Sequence, residues 1–170
     1  MRSFDELFYA HLQDVYFAEK QLLKALPKLA KNSTNARLSK AFTDHLQETE
    51  THVDRLERVF DMVDKNPRAR KCEGIMGIIA EGEEVMEEVE NDAVRDAGLV
   101  ASGQAAEHYE IALYGALIAW AEVLGLEDAV PLLSETLDEE KRADALLTSI
   151  AGEGVNEEAA EQTKEMAEQR

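Results

Sequence analysis

Apolar residues recur three and four positions apart over most of this chain, a spacing that places them on one face of an α-helix. The pattern covers one short segment and four long ones, at about residues 75–90, 3–31, 35–63, 92–124 and 127–151. The 170 residues include only three prolines, and no alternating run of β-branched residues indicates a strand. We therefore predict an all-α fold, with a kink or an early stop near Leu26 because Pro27 lies inside the first segment.

The connections between these segments predict how the helices are joined. Residues 32–35 form a short polar turn, and Gly125 suits the left-handed residue that ends a helix. Residues 64–74 combine a proline, a glycine and four basic residues without apolar periodicity, so they predict a long connection. Two short turns and one long crossover are typical of a four-helix bundle of two antiparallel hairpins, with the short helix carried on the crossover.

The end of the chain differs from the rest because it has almost no apolar face from Asn156 onward. This composition predicts a frayed helix or a disordered segment. We accordingly expect a helical bundle at residues 1–152 and an acidic C-terminal tail at residues 153–170.

The net charge of −18, from 36 acidic and 18 basic residues, repels nucleic-acid phosphates and anionic lipid headgroups. We therefore expect no nucleic-acid partner and no membrane partner. No apolar run approaches the ~18–20 residues of a membrane span, and no signal segment is recognisable. The lone Cys72 forms no internal disulfide. We expect a cytoplasmic protein in which most acidic residues form a solvated helix surface.

Some glutamates nevertheless fall on the apolar stripes near the middles of the four long helices. A carboxylate there is costly to bury unless it is paired, hydrogen-bonded or bound to a metal. The candidates are Glu19, Glu48, Glu107, Glu110, Glu139 and Glu140, with Glu139 and Glu140 as alternatives on the last helix. Three histidines could add a ligand: His52 lies four residues after Glu48, His45 lies three before it, and His108 follows Glu107. The spacing leaves the choice among them open.

One glutamate from each of four helices, with a second ligand one turn along, is the di-iron or di-manganese pattern of ferritin-like bundles. Oxygen ligands with a few imidazoles suit Fe or Mn. The pattern thus predicts a site for two metal ions, with Glu19 and Glu110 as terminal ligands and Glu48 and Glu139 as bridging ligands. Glu48 aligns with Glu139 and Glu19 with Glu110 when the two halves are superposed, which indicates structural repeats.

Five sequence segments together resemble the YciF/YciE family of bacterial ferritin-like proteins. They are DVYFAEKQLLKALPKLA at 14–30, HLQET at 45–49, RLE at 55–57, EHYEIA at 107–112 and TLDEEK at 136–141. The resemblance covers about residues 4–152 and implies a ferritin-like bundle with a dinuclear metal site, homodimerisation and an association with bacterial stress responses. It implies metal ligands at Glu19, Glu48, Glu107, Glu110 and Glu139 or Glu140, with a histidine in addition.

Three classes of function remain for such a chain. A dinuclear oxidoreductase would act on peroxide, O2 or Fe(II), in the manner of a ferroxidase or a catalase. A metal-binding protein without turnover would use the ions to stabilise its bundle. An interaction protein would form a dimer through aromatic residues such as Tyr9, Tyr16 and Trp120, with its acids hydrated. The sequence has no nucleophile elbow, phosphate-binding loop or dinucleotide fingerprint that would favour other chemistry.

Overall fold

Six α-helices account for most of the protein in a computed structural model that describes residues 1–168. They are α1 (Phe4–Asn32), α2 (Ala36–Met62), α3 (Glu73–Glu88), α4 (Asp92–Leu124), α5 (Ala129–Ile150) and α6 (Asn156–Glu168), with a π-helical turn at Ala151–Val155 between the last two. The all-α prediction is confirmed. No helix among the described residues is long and apolar enough to cross a membrane.

Polar side chains at the predicted turns begin three of these helices. The side chains of Ser3, Asn35 and Asn91 accept hydrogen bonds from backbone N–H groups in the first turns of α1, α2 and α4, which satisfies donors that have no partner within the helix. Gly125 ends α4 with a φ of 73°, a left-handed conformation that glycine adopts without strain. Pro27 lies inside α1, yet the helix continues to Asn32 instead of stopping near Leu26.

The four long helices pair as two hairpins, α1 with α2 and α4 with α5, and α3 packs against α4 and α1 from the crossover. Buried apolar residues form two clusters, one around Leu26, Phe42 and Leu147 and the other around Leu12, Phe60 and Tyr114. Along each long helix the residues pass from one cluster to the other, which is what an antiparallel bundle requires. The midpoint between the clusters therefore falls near the centre of every long helix.

Two contacts hold the connections against the bundle. The Arg70 backbone N–H donates to the Gln13 carbonyl at 3.2 Å, which ties the crossover to α1. The buried Asp96 carboxylate on α4 accepts hydrogen bonds from the backbone N–H groups of Thr34 and Asn35 and from the Thr34 hydroxyl. Asp96 is thus a buried charge with every nearby donor used.

The acidic end of the chain folds as a helix, so of the two predicted alternatives the structure shows the helical one. The predicted boundary at residue 152 falls in the π-helical turn, where Val155 is buried. No residue of α6 is buried, and the Asn91 side-chain amide donates to Gln162 at 3.2 Å. Helix α6 therefore lies on the surface of α4 and adds little to the core.

Candidate metal centre

A layer of polar side chains separates the two apolar clusters at mid-height of the bundle. Six of them form what we call the buried cluster, and each residue is at most 5% exposed: Glu19, His45, His52, Glu107, Glu110 and Glu140. All four long helices contribute. Because the apolar clusters above and below exclude water, these groups have only one another as neighbours.

Two groups within the buried cluster share the Glu140 carboxylate. The first consists of His45, Glu107, Glu110 and Glu140, and the second of Glu19, His52 and Glu140; within each group one nitrogen or oxygen per residue lies within 4.8 Å of the others. His45 Nε2 lies 3.3 Å from Glu107 Oε1 and 3.3 Å from Glu140 Oε2. His52 Nδ1 lies 3.1 Å from the other Glu140 oxygen and 3.4 Å from Glu19 Oε1. Glu140 therefore has one oxygen toward each histidine.

The buried cluster is short of hydrogen-bond partners. Among the described residues, eight buried side-chain nitrogen and oxygen atoms have no partner, and every one of them belongs to the cluster. Both oxygens of Glu110 and both oxygens of Glu140 are among them. The short distances to the histidines do not have the angles of hydrogen bonds. Since buried polar groups are nearly always satisfied, and Asp96 shows that this fold can satisfy a buried carboxylate, the unpaired oxygens fit bound cations.

Burial controls the protonation of the cluster when no cation is bound. It raises the pKa of Glu107 and of Glu110 well above the ordinary value, and nearby carboxylates raise the pKa of Glu110 further. Burial likewise raises the pKa of Glu19, although His52 opposes the shift. The cation-free cluster therefore retains protons at neutral pH, and cations would replace them.

The histidines and Glu140 shift the other way. Burial disfavours the charged form of His52, but the carboxylates of Glu19 and Glu140 outweigh burial and raise its pKa to about 10. Burial also opposes protonation of His45, and Glu107 and Glu140 again outweigh it. Burial would raise the pKa of Glu140, yet the imidazoles of His45 and His52 lower it.

A carboxylate behind each histidine fixes the orientation of the ring. His45 Nδ1 donates to Glu48 at 3.1 Å, so its Nε2 faces the cluster. His52 Nε2 donates to Glu139 at 2.9 Å, so its Nδ1 faces the cluster. The Arg55 guanidinium in turn binds Glu139. Carboxylates that hold the outer nitrogen of a metal-binding histidine are common in metalloproteins, where they raise the basicity of the ligand.

The structure brings five of the predicted site residues into the buried cluster, namely Glu19, His52, Glu107, Glu110 and Glu140. Glu48 and Glu139 lie outside it, with side chains 43% and 15% exposed, behind the two histidines. Of the two neighbours on α5, Glu140 points inward. His108 also lies outside, because its side chain is 67% exposed and pairs with Asp144 at 3.1 Å.

His45 was considered in the sequence but not selected as a site residue. The signal that favours it is its spacing of seven residues from His52, which is two helical turns and places both rings on one face of α2. The spacing of four from Glu48 to His52 is less informative, since Glu48 lies at the edge of that face.

The fold and the site together define a helical-bundle protein with a buried carboxylate–histidine cluster. Within the known families, the chain belongs to the one described as a domain of unknown function, DUF892, which matches residues 3–160. It is 45% identical to Protein YciF of Escherichia coli K12 over 160 residues, which are 94% of this chain and 96% of that protein. The resemblance to the YciF family is confirmed, and the family match extends past the predicted limit at residue 152.

Solved structures give the same result. The E. coli stress protein YciF superposes with a TM-score of 0.88 at 44% identity, over 92% of this chain and 99% of that one. YcfI from Rhodopseudomonas palustris has a TM-score of 0.85 at 44% identity, over 86% and 94%. A Xanthomonas campestris protein has a TM-score of 0.74 at 20% identity, over 94% and 97%, which shows a shared fold.

Proposed function

We propose that this protein is a ferritin-like carboxylate protein that binds two Fe or Mn ions in the buried cluster, acts on peroxide, O2 or Fe(II), and serves in a bacterial stress response. The observation that carries the proposal is the set of eight unpaired buried atoms, all in one cluster. The stress role rests on the description of E. coli YciF as a stress protein.

The charges of the cluster support two divalent ions rather than one. Four carboxylates, Glu19, Glu107, Glu110 and Glu140, carry a total charge of −4 when ionised, which two divalent cations balance. Glu140 belongs to both groups and is the ligand that the two ions would share. His45, Glu107 and Glu110 would complete one site, while Glu19 and His52 would complete the other. Two such ions supply a pair of one-electron couples to a small oxidant.

A second candidate function is metal binding without turnover, in a structural helical-bundle dimer. The description of YcfI, which proposes a structural role, favours this alternative. Cations that bind only the folded chain would stabilise the bundle by replacing the protons of Glu107 and Glu110. The homodimer and the cytoplasmic location belong to the proposal under either function.

Metal loading tests the proposal directly. Purified protein is loaded anaerobically with Fe(II) or Mn(II), desalted and analysed for metal content, and we expect two ions per chain. Glu140→Gln should reduce the content to one ion or fewer, because it alters the shared ligand. Glu48→Gln should retain two ions with affinity lowered about 10- to 100-fold, as for other carboxylates behind a ligand histidine. Less than roughly 0.2 ion per wild-type chain would reject a two-ion site.

Catalysis is then separated from binding alone by two assays on the loaded protein. We expect the loaded protein to accelerate the decay of hydrogen peroxide or the oxidation of Fe(II) by O2, and Glu140→Gln to abolish that acceleration. Glu122→Gln, at an exposed position of α4, is the matched control and should behave as wild type. Two ions per chain without acceleration in either assay would favour the structural alternative.

A further inference from the structure

A pocket of about 160 Å³ opens between α2 and α5 and reaches the buried cluster. His45 and Glu107 form its floor. Its walls are apolar and include Phe42, Ala143 and Leu147. The pocket therefore joins the surface of the bundle to one of the two groups in the cluster.

The two halves of the cluster differ in their access to solvent. On the His52 side, Glu139 is mostly buried and is held by Arg55, and the Tyr114 hydroxyl donates to Glu19. On the His45 side, Glu48 is 43% exposed and stands at the rim of the pocket. An exogenous ligand can thus reach the His45 side without displacing a packed side chain.

The size of the pocket indicates what it can bind. A cavity of about 150 Å³ lined by Leu, Ile and Phe accommodates benzene in another protein, so this pocket is much larger than hydrogen peroxide or O2 requires. Its apolar walls favour a ligand with an apolar body of about six carbon atoms. Its floor of imidazole and carboxylate groups, with any cation they hold, favours a single oxygen atom at the inner end.

The charge of the cluster indicates that this ligand is neutral. Four carboxylates balance two divalent ions, so the loaded cluster leaves no excess positive charge to attract an anion. At the rim, Asp44 and Glu48 outnumber Arg142 and would also repel an anion. Neutral hydroperoxides and alcohols with a small apolar body meet both requirements.

We propose that the pocket binds a small neutral organic hydroperoxide, or the alcohol of the same shape, with its oxygen directed to the His45 and Glu107 side of the cluster. The direction of the oxygen rests on the proposed function, whereas binding of the apolar body depends on the pocket alone. A second consequence is that the ion held on the His45 side exchanges with solvent faster than the ion on the His52 side.

Phenol is a suitable probe because it has six ring carbons and one hydroxyl. We expect a saturable titration in which phenol shifts the methyl NMR signals of Ala143 and Leu147. Ala143→Phe should fill the pocket and weaken phenol binding at least about tenfold. Ala145→Phe, at an exposed position two residues along the same helix, should leave it unchanged. Equal binding to wild type and Ala143→Phe, or no binding to wild type, would overturn the proposal.

Zn(II)-loaded protein tests the direction of the oxygen without redox chemistry. Loading should tighten the binding of phenol but not that of toluene, which lacks the oxygen. Extraction of Zn(II) by a chelator should show two phases of equal amplitude, and Ala143→Phe should slow the faster phase at least about tenfold. A single phase, or equal tightening of both probes, would refute the assigned direction even where two ions bind.

The two proposals fail in different ways. If no metal binds, the proposed function fails, while the titration of metal-free protein still decides whether the pocket takes the apolar body. If two ions bind but phenol does not, only the pocket proposal fails. Should Ala143→Phe not fold, Leu146→Trp provides a second filling variant, since Leu146 lines the pocket and is 42% exposed.

Discussion

Replacing Glu110 by glutamine should stabilise the metal-free protein and weaken its response to metal. Glu110 is fully buried, and neither of its carboxylate oxygens has a hydrogen-bond partner. Burial, followed by the charges of Glu19, Glu140 and Glu107, raises its pKa. Without a cation the group must therefore hold a proton or remain an unpaired charge. Glutamine has nearly the same shape, carries no charge and can donate to the neighbouring carboxylates.

The size of the gain follows from the lack of partners. An unsatisfied buried polar group costs about 1–3 kcal/mol. In a domain of this size 1 kcal/mol changes the melting temperature by about 2–4 °C. We therefore expect metal-free Glu110→Gln to melt roughly 2–12 °C above wild type. Because the pKa of Glu110 is raised in the folded state, its stabilising effect is complete at low pH and is lost as the pH rises. The gain should consequently be larger at pH 8 than at pH 5.

Metal should reverse the order of the two proteins. A cation at about 100 times its dissociation constant stabilises the folded state by about 2.7 kcal/mol per site, or roughly 5–11 °C for this chain. We expect wild type to gain this much per site with Mn(II), and Glu110→Gln to gain less because it has lost a charged ligand. The assay is calorimetric melting with EDTA or with Mn(II), and Glu122→Gln on the same helix is the control. A metal-free Glu110→Gln that melts below wild type, or that gains as much from Mn(II), would refute the reasoning.

Three further predictions concern protons and packing. Metal affinity should fall as the pH is lowered from 8 to 6, because cations displace protons from Glu107 and Glu110, whose pKa values are raised by burial; titration calorimetry in buffers of different ionisation enthalpy would show proton release, and its absence would contradict the assigned protonation. Arg55→Lys should lower the free energy of unfolding by about 1–3 kcal/mol in urea, because lysine cannot span Glu139, Glu135 and Thr136 as the guanidinium does, whereas Arg58→Lys at an exposed position should change it little. Gly103→Ala should destabilise the fold by about 1–3 kcal/mol, since its Cβ would lie 2.9 Å from both Leu147 and Phe42. Gly115→Ala, with open space at the same point, should stabilise α4 by about 1 kcal/mol in the same urea measurement, and an equal effect of the two alanines would argue against close packing at Gly103.

The composition of the site follows from a feature that the sequence does display. Glutamates on apolar stripes near mid-helix predicted a buried charged layer, and the structure brings Glu19, Glu107 and Glu110 into one cluster. These three could be recognised because each lies three or four residues from buried apolar neighbours on its own helix.

The choice between adjacent residues depended on the tertiary structure. Glu139 and Glu140 differ by about 100° around the helix axis, and α5 has apolar residues near both directions. The rotation of α5 against α2 turns Glu140 toward both histidines and leaves Glu139 to Arg55. In the same way, the rotation of α2 directs His45 and His52 inward and leaves Glu48 at the rim of the pocket.

The sequence by itself determined the helices, their approximate ends and the antiparallel order, because apolar periodicity, polar caps and turn residues act over a few neighbouring positions. Only the tertiary structure decided which carboxylates are deprived of water and partners. That property depends on the rotation of each helix about its axis, which is set by the packing of both apolar clusters across all four helices. The two histidines illustrate the difference: their spacing is local, but their position beside Glu140 exists only once α2 and α5 are packed together.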